Sequence, residues 1–158
     1  MKQFSYSLVS RELPGDLHTP VSAYLRLRDA SSRSILMESS DYHAGRDARS
    51  FIALEPLAEV GVAHGIGFQA LPDGSRLEKN ISADYPADKL VREFMDSFEL
   101  SNKNVSLWGF TTFNAVRYFE DIAVKDETHA EHDAPDLLYI LFRFTLEFDH
   151  FRNSLTLH

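Results

Sequence analysis

The sequence predicts an α+β fold in which mostly antiparallel strands form the sheet or sheets, and two or three helices pack on them. Three observations lead to this prediction. Several stretches alternate apolar and polar residues with a period of two. A Pro-Asp-Gly turn joins two of these stretches into a hairpin. Between the stretches, apolar residues recur at three- and four-residue spacing, as they do in helices.

The first half of the chain holds three short strand candidates and one short helix. Thr19 and Pro20 begin the helix, which we expect to run to about Arg28, because threonine caps free amide groups and proline suits the first helical position. A buried strand is predicted where the sequence reads SILMES. The strands predicted before residue 55 are 4–9, 34–39 and 50–54.

A hairpin follows, and after it a helix. Every second position from Val60 to Phe68 is apolar except His64, and small or polar residues lie between them. The turn Pro72-Asp73-Gly74 comes next, and RLEKNIS returns as the second strand. Pro86 opens a helix with apolar residues at four-residue spacing, including Leu90 and Phe94.

The C-terminal third is predicted to contain a strand, a helix and a final hairpin. Ser106–Phe110 reads as a strand, and Thr112–Ile122 as a second helix with apolar residues at three-residue spacing. Apolar residues occupy every second position from Ile140 to Phe148 and, from Phe142 on, alternate with polar ones up to Asp149, which is the clearest strand signal of the chain. Residues 150–153 then form a turn, after which the alternation resumes.

Length and composition limit the function classes. With 158 residues, the chain fits a single domain, residues 1–158. It carries 16 basic and 24 acidic residues, a net charge of −8, which argues against binding to nucleic acid or an anionic membrane surface. The absence of cysteine excludes disulfides and thiol catalysis and is typical of a cytoplasmic protein. No apolar run is long enough to span a membrane, and the N-terminus does not read as a signal peptide.

Most of the negative charge lies in one short segment. Residues 120–136 contain 7 acidic residues and 1 basic residue, a net charge of −6. The pair His129 and His132 has a spacing that metal ligands use, but the segment lacks helical periodicity. We therefore interpret it as an exposed, solvated loop and predict no metal site.

The residues by themselves indicate no catalytic site. The chain contains neither a glycine-rich phosphate loop nor a nucleophile elbow, and Asp149-His150 reads as part of a turn. Glu38 is the exception, because a carboxylate that ends an apolar strand must be paired, hydrated or bound to something. A strand-end glutamate facing water is one interpretation, and a polar site with Arg46 or Arg49 is the other.

Four segments, in this order, resemble the N-terminal part of the anthranilate synthase component I family. The most specific are Leu36-Met37-Glu38-Ser39, which is similar to a Leu-Leu-Glu-Ser motif, and Gly109–Glu120, which is similar to a Gly-Tyr…Asp-x-Val-Arg-Tyr-Phe-Glu segment. Met37, Phe110 and Asn114 depart from these patterns conservatively. The four segments are 19–29, 35–56, 107–122 and 135–157.

The resemblance implies a parent enzyme, a carbon–oxygen lyase that converts chorismate and ammonia to anthranilate and pyruvate in tryptophan biosynthesis. Such enzymes need Mg²⁺ and receive ammonia from a glutaminase subunit, component II. The family's active site and Mg²⁺ site lie in a C-terminal chorismate-binding domain that this chain lacks. The resemblance therefore implies no catalytic residue and no cofactor in residues 1–158.

The resemblance does imply an allosteric site for tryptophan, the feedback inhibitor. By position its residues are Met37, Glu38, Ser39 and Arg49, with further contacts from the missing C-terminal domain. Glu38 would hold the ligand's ammonium group, Ser39 would hydrogen-bond to the ligand, and Met37 would pack on the indole. Two alternatives remain: the equivalent part of aminodeoxychorismate synthase component I, and a free-standing, non-catalytic module that binds a small molecule.

Overall fold

Two long antiparallel strands form the middle of a computed structural model that describes residues 3–39, 48–100, 105–124 and 134–158. Short strands line both long strands, and two α-helices pack on the sheet. The α+β class predicted from the sequence is confirmed. The strands are β1 (Phe4–Tyr6), β2 (Arg11–Pro14), β3 (Ser34–Met37), β4 (Arg49–Ala63), β5 (Ile66–Ala70), β6 (Arg76–Asn80), β7 (Phe98–Leu100), β8 (Trp108–Thr111), β9 (Leu137–Asp149) and β10 (Ser154–Leu157). The helices are α1 (Pro20–Leu27), α2 (Ala87–Asp96) and the 3₁₀ segments Arg28–Ala30 and Phe113–Tyr118.

The central pair is β4 with β9, which run antiparallel from Arg49 opposite Asp149 to Val62 opposite Leu137. The sequence predicted one strand over residues 50–54 and a second from Val60 to Phe68. The structure has the single strand β4 over the first and the start of the second, and the second prediction was wrong beyond Ala63, because the chain turns at His64-Gly65 into β5. A bulge between Pro56 and Ala58 and a positive φ of 58° at Glu55 carry the strand through the irregular stretch. Proline cannot donate a ladder hydrogen bond, so this position resembles a break in the sequence although pairing resumes beyond it.

Each long strand has a different neighbour along each half of its outer edge. β3 pairs with the first half of β4 and β5 with its second half, whereas β8 pairs with the first half of β9 and β10 with its last residues. The hairpins β5–β6 and β9–β10 confirm the predicted turns. Every pair of this sheet is antiparallel; β1 and β7 form a separate parallel pair.

The two α-helices confirm their sequence predictions. Thr19 and Ser22 form a reciprocal capping box at the start of α1, each side chain 3.1 Å from the other residue's amide nitrogen. α1 packs on the cluster of Ile52, Phe148 and Leu155. α2 buries Leu90 and Phe94 in the larger core cluster between the helix and β4. Within the part of the chain that the structure describes, no helix has the length and apolar character needed to cross a bilayer.

The predicted helix Thr112–Ile122 was wrong in kind and length. The structure has a 3₁₀ segment there, Phe113–Tyr118, and Phe113 is 87% exposed. A 3₁₀ helix has three residues per turn, so the three-residue spacing of apolar side chains fits it better than it fits an α-helix. The first strand is also shorter than predicted, ending at Tyr6.

Candidate ligand site

Glu38 and Ser39 directly follow β3, and a buried serine fixes this end of the strand. Ser50 on β4 is fully buried, and its Oγ accepts a hydrogen bond from the Ser39 amide at 3.2 Å. The same oxygen lies 2.7 Å from Nε2 of His150, in the turn between β9 and β10. One hydroxyl thus joins three chain segments: β3, β4 and the final hairpin.

We predict that Ser50→Ala lowers the free energy of unfolding by about 1–3 kcal/mol, because the part-buried Ser39 amide loses this acceptor. Urea unfolding followed by tryptophan fluorescence measures the change. Ser7→Ala is the control, since Ser7 is exposed, and its effect should stay within about 0.5 kcal/mol. Equal, small effects of the two substitutions would mean that the Ser50 hydroxyl does not hold the strand end.

The predicted site residues lie on two faces of the sheet. Met37 pairs directly with Phe51, and Arg49 lies two residues before Phe51, so Met37 and Arg49 share one face. Glu38, next to Met37, points to the opposite face. The register therefore places Met37 and Arg49 on one face of the sheet and Glu38 on the other. Arg46 lies outside the described residues.

A cavity lies on each face. The cavity on the Arg49 face has a volume of about 500 Å³, and the one on the Glu38 face about 290 Å³. Aromatic and charged side chains line the larger cavity, among them Arg49, Phe51, Trp108, Phe142, Arg143 and Glu147. The smaller one is lined by Glu38 with Asp16, His18, Phe148, Asp149 and His150. The larger volume falls within the range of small-molecule sites.

Arg49 belongs to a chain of polar contacts that sequence reasoning missed. Its guanidinium forms an ion pair with Glu147 on β9. The other carboxylate oxygen of Glu147 lies 3.0 Å from Nε2 of His158, and Nδ1 of His158 lies 2.8 Å from the Ser10 hydroxyl. Glu147 is a polar member of the alternating strand, but only the register, which places it opposite Phe51, indicates which side chains it meets.

The segment that carries the Val-Arg-Tyr-Phe-Glu resemblance forms a polar cluster away from both cavities. Arg117 and Tyr118 donate hydrogen bonds to Asp136 at 2.9 and 2.7 Å, and the Gly65 amide donates to the Tyr118 oxygen at 2.9 Å. Burial raises the pKa of the Tyr118 phenol, and its hydrogen bond to Asp136 raises it further. The phenol therefore stays protonated at neutral pH and acts as a donor.

The interpretation of residues 120–136 as an exposed loop is wrong at the C-terminal end of this segment, where Asp136 is buried. The Asp136 side chain is 12% exposed and forms an ion pair with Arg117 directly before β9 begins. His129 and His132 lie outside the described residues. Among the residues that the structure does describe, no three histidine or carboxylate side chains are grouped to hold a metal ion.

No protein-family model matches the chain, but comparison with known proteins finds similarity to an enzyme. The chain is 25% identical over 155 residues to anthranilate synthase component 1 of Lactococcus lactis subsp. lactis, a match that covers 92% of this chain. The chain resembles anthranilate synthase component I. The crystal structure of that protein from Streptococcus pneumoniae matches 94% of this chain, with a TM-score of 0.51 and 20% identity, and so shares its fold.

The resemblance to anthranilate synthase component I is partial in one respect. The chain spans 30% of the length of the Lactococcus protein and 31% of the Streptococcus chain. Both matches nevertheless extend over nearly all of residues 1–158. The similarity stated from the sequence motifs is therefore confirmed over nearly the whole chain.

Proposed function

We propose that this chain is the N-terminal, tryptophan-sensing region of an anthranilate synthase component I and is not catalytic by itself. The observation that carries the proposal is the match of 92% of the chain to 30% of a component I enzyme. The parent enzyme would convert chorismate and ammonia to anthranilate and pyruvate, as a lyase of tryptophan biosynthesis. We place it in the cytoplasm, in keeping with a sequence free of cysteine.

The proposal assigns partners to the parent enzyme. A glutaminase subunit, component II, would supply ammonia, and the enzyme's own C-terminal domain would hold chorismate and Mg²⁺. The described residues of this chain do not fit a Mg²⁺ site, because no group of three suitable side chains is present among them. We therefore derive no step through a metal from residues 1–158.

Feedback inhibition by tryptophan is proposed to act at Met37, Glu38, Ser39 and Arg49. Glu38 and Arg49 lie on opposite faces of the sheet. A ligand that contacts both must therefore bind at the end of β3, where it can reach both faces. The hydrogen bond from the Ser39 amide to Ser50 holds that end in place. Glu38 would bind the ammonium group there, and Met37, which is 46% exposed, offers its thioether to the indole.

The test uses the whole parent enzyme, with anthranilate formation from chorismate and ammonia followed by fluorescence. We expect Glu38→Ala to raise the tryptophan concentration for half-inhibition about ten-fold or more, because a charge-assisted contact is lost. Glu12→Ala, at an exposed position of the edge strand β2, should leave inhibition unchanged. Undiminished inhibition of Glu38→Ala would remove Glu38 from the site, and formation of aminodeoxychorismate would favour the related synthase instead.

A further inference from the structure

The larger cavity has an aromatic wall that no residue of the proposed tryptophan site supplies. The rings of Phe51 and Trp108 lie 5.0 Å apart between centroids and are tilted by 43°. Both side chains are half-buried, so part of each ring faces the cavity, and Phe142 on β9 adds a third, buried ring. Such a wall suits a flat apolar group, because aromatic rings pack favourably in tilted or offset arrangements.

The two guanidinium groups of this cavity differ in how firmly they are paired. Arg49 pairs with Glu147, whose side chain is only 19% exposed and which also contacts His158. Arg143 pairs with Glu55 at 3.4 Å, and both side chains are more than half exposed, at 57% and 51%. Exposed ion pairs contribute little free energy, so a ligand can replace Glu55 on Arg143 at small cost.

Arg143 is the cation of this cavity that a ligand can reach. Glu147 lines the cavity and neutralises Arg49, whereas the partner of Arg143, Glu55, is exposed and does not line the cavity. The hydroxyls of Ser106 and Thr145 on the same lining can also donate hydrogen bonds to an anion.

We propose that this cavity binds a small aromatic carboxylate, with the ring against Trp108 and Phe51 and the carboxylate on Arg143. A planar guanidinium matches a carboxylate in a bidentate arrangement. Neither Trp108 nor Arg143 belongs to the four residues of the proposed tryptophan site. The inference rests on the geometry of this cavity and stands or falls independently of the parent enzyme's reaction.

Trp108 is the single tryptophan of the chain, so its indole N–H gives one assigned signal that reports directly on the cavity. We would titrate the ¹⁵N-labelled 158-residue chain with 2-naphthoate and follow that signal by NMR. The expected result is a saturable shift, with an apparent Kd raised at least about ten-fold in Arg143→Gln. Arg143→Lys should recover part of the affinity, because it restores the charge without the fork geometry.

Two controls separate the alternatives. Arg92→Gln removes an arginine on α2 whose side chain, like that of Arg143, is more than half exposed, and this variant should bind 2-naphthoate as the unchanged chain does. 2-Naphthalenemethanol presents the same ring without a charge and should bind more weakly. The proposal is overturned if the Trp108 signal does not shift, if the alcohol binds as well as the acid, or if Arg49→Gln abolishes binding while Arg143→Gln has no effect.

Discussion

Asp136→Asn should lower the free energy of unfolding by about 3 kcal/mol, a large fraction of the 5–15 kcal/mol typical of a domain. Asparagine keeps the shape of aspartate but removes the negative charge that faces Arg117 at 2.9 Å. Arg117 is only 16% exposed, so water cannot replace that charge. The Tyr118 phenol also loses a charged acceptor at 2.7 Å. Urea unfolding of the 158-residue chain measures the loss.

The matched control for this prediction is Asp88→Asn. Asp88 pairs with Arg92 at 3.5 Å along α2, but both side chains are more than half exposed. An exposed pair of this kind contributes roughly 0.3–0.5 kcal/mol, so the control should be close to neutral. If Asp136→Asn were as mild as Asp88→Asn, the Arg117 cluster would not stabilise the fold.

Gly109→Ala is the second substitution with a large expected effect, a loss of about 3 kcal/mol or more. A Cβ atom at Gly109 would lie 1.8 Å from the carbonyl oxygen of Leu138 and 2.8 Å from its carbon. Gly109 pairs with Tyr139 in the β8–β9 ladder, so relief of this overlap requires the strands to separate. The backbone of β9 cannot move without disturbing its other ladder with β4.

Gly67→Ala also adds one methyl group in the sheet and serves as the comparison. The nearest atoms there are side-chain carbons of Leu90 and Ile81, at 2.7 and 2.8 Å, whose ends can rotate away. We expect a loss of about 1 kcal/mol. Thermal unfolding of both variants decides the matter: similar melting temperatures would show that β8 does not depend on the close approach at Gly109.

Local patterns predicted most of the elements because their signals act over a few residues. Thr19-Pro20 fixes the start of α1, and the Pro-Asp-Gly turn fixes the β5–β6 hairpin through its own backbone preferences. The alternation from Ile140 to Phe148 predicted β9, but not which side chains are buried. Phe142 and Phe148 belong to different clusters, and Phe144 between them is 38% exposed.

The candidate site was only partly predictable, because it depends on how segments that are distant in sequence pair in the sheet. Motif resemblance selected Glu38 and Arg49, but their relation depends on the register of β3 with β4, which places Met37 opposite Phe51. A shift of the β3–β4 pairing by one residue would move every side chain of β3 to the other face of the sheet. No sequence signal near Glu38 specifies this register. Trp108 and Arg143 meet in the cavity although they are distant in sequence, so no spacing rule could have linked them.

By itself the sequence determined the α+β class, the order of most elements and the resemblance to anthranilate synthase component I. These depend on local backbone preference, on the period of apolar residues and on short motifs. Only the tertiary structure decided that Glu38 and Arg49 lie on opposite faces, that Asp136 is a buried partner of Arg117, and that an aromatic cavity lies beside Arg143. Those features arise from strand register and from contacts between distant segments, which pairing and burial fix only once the whole sheet has formed.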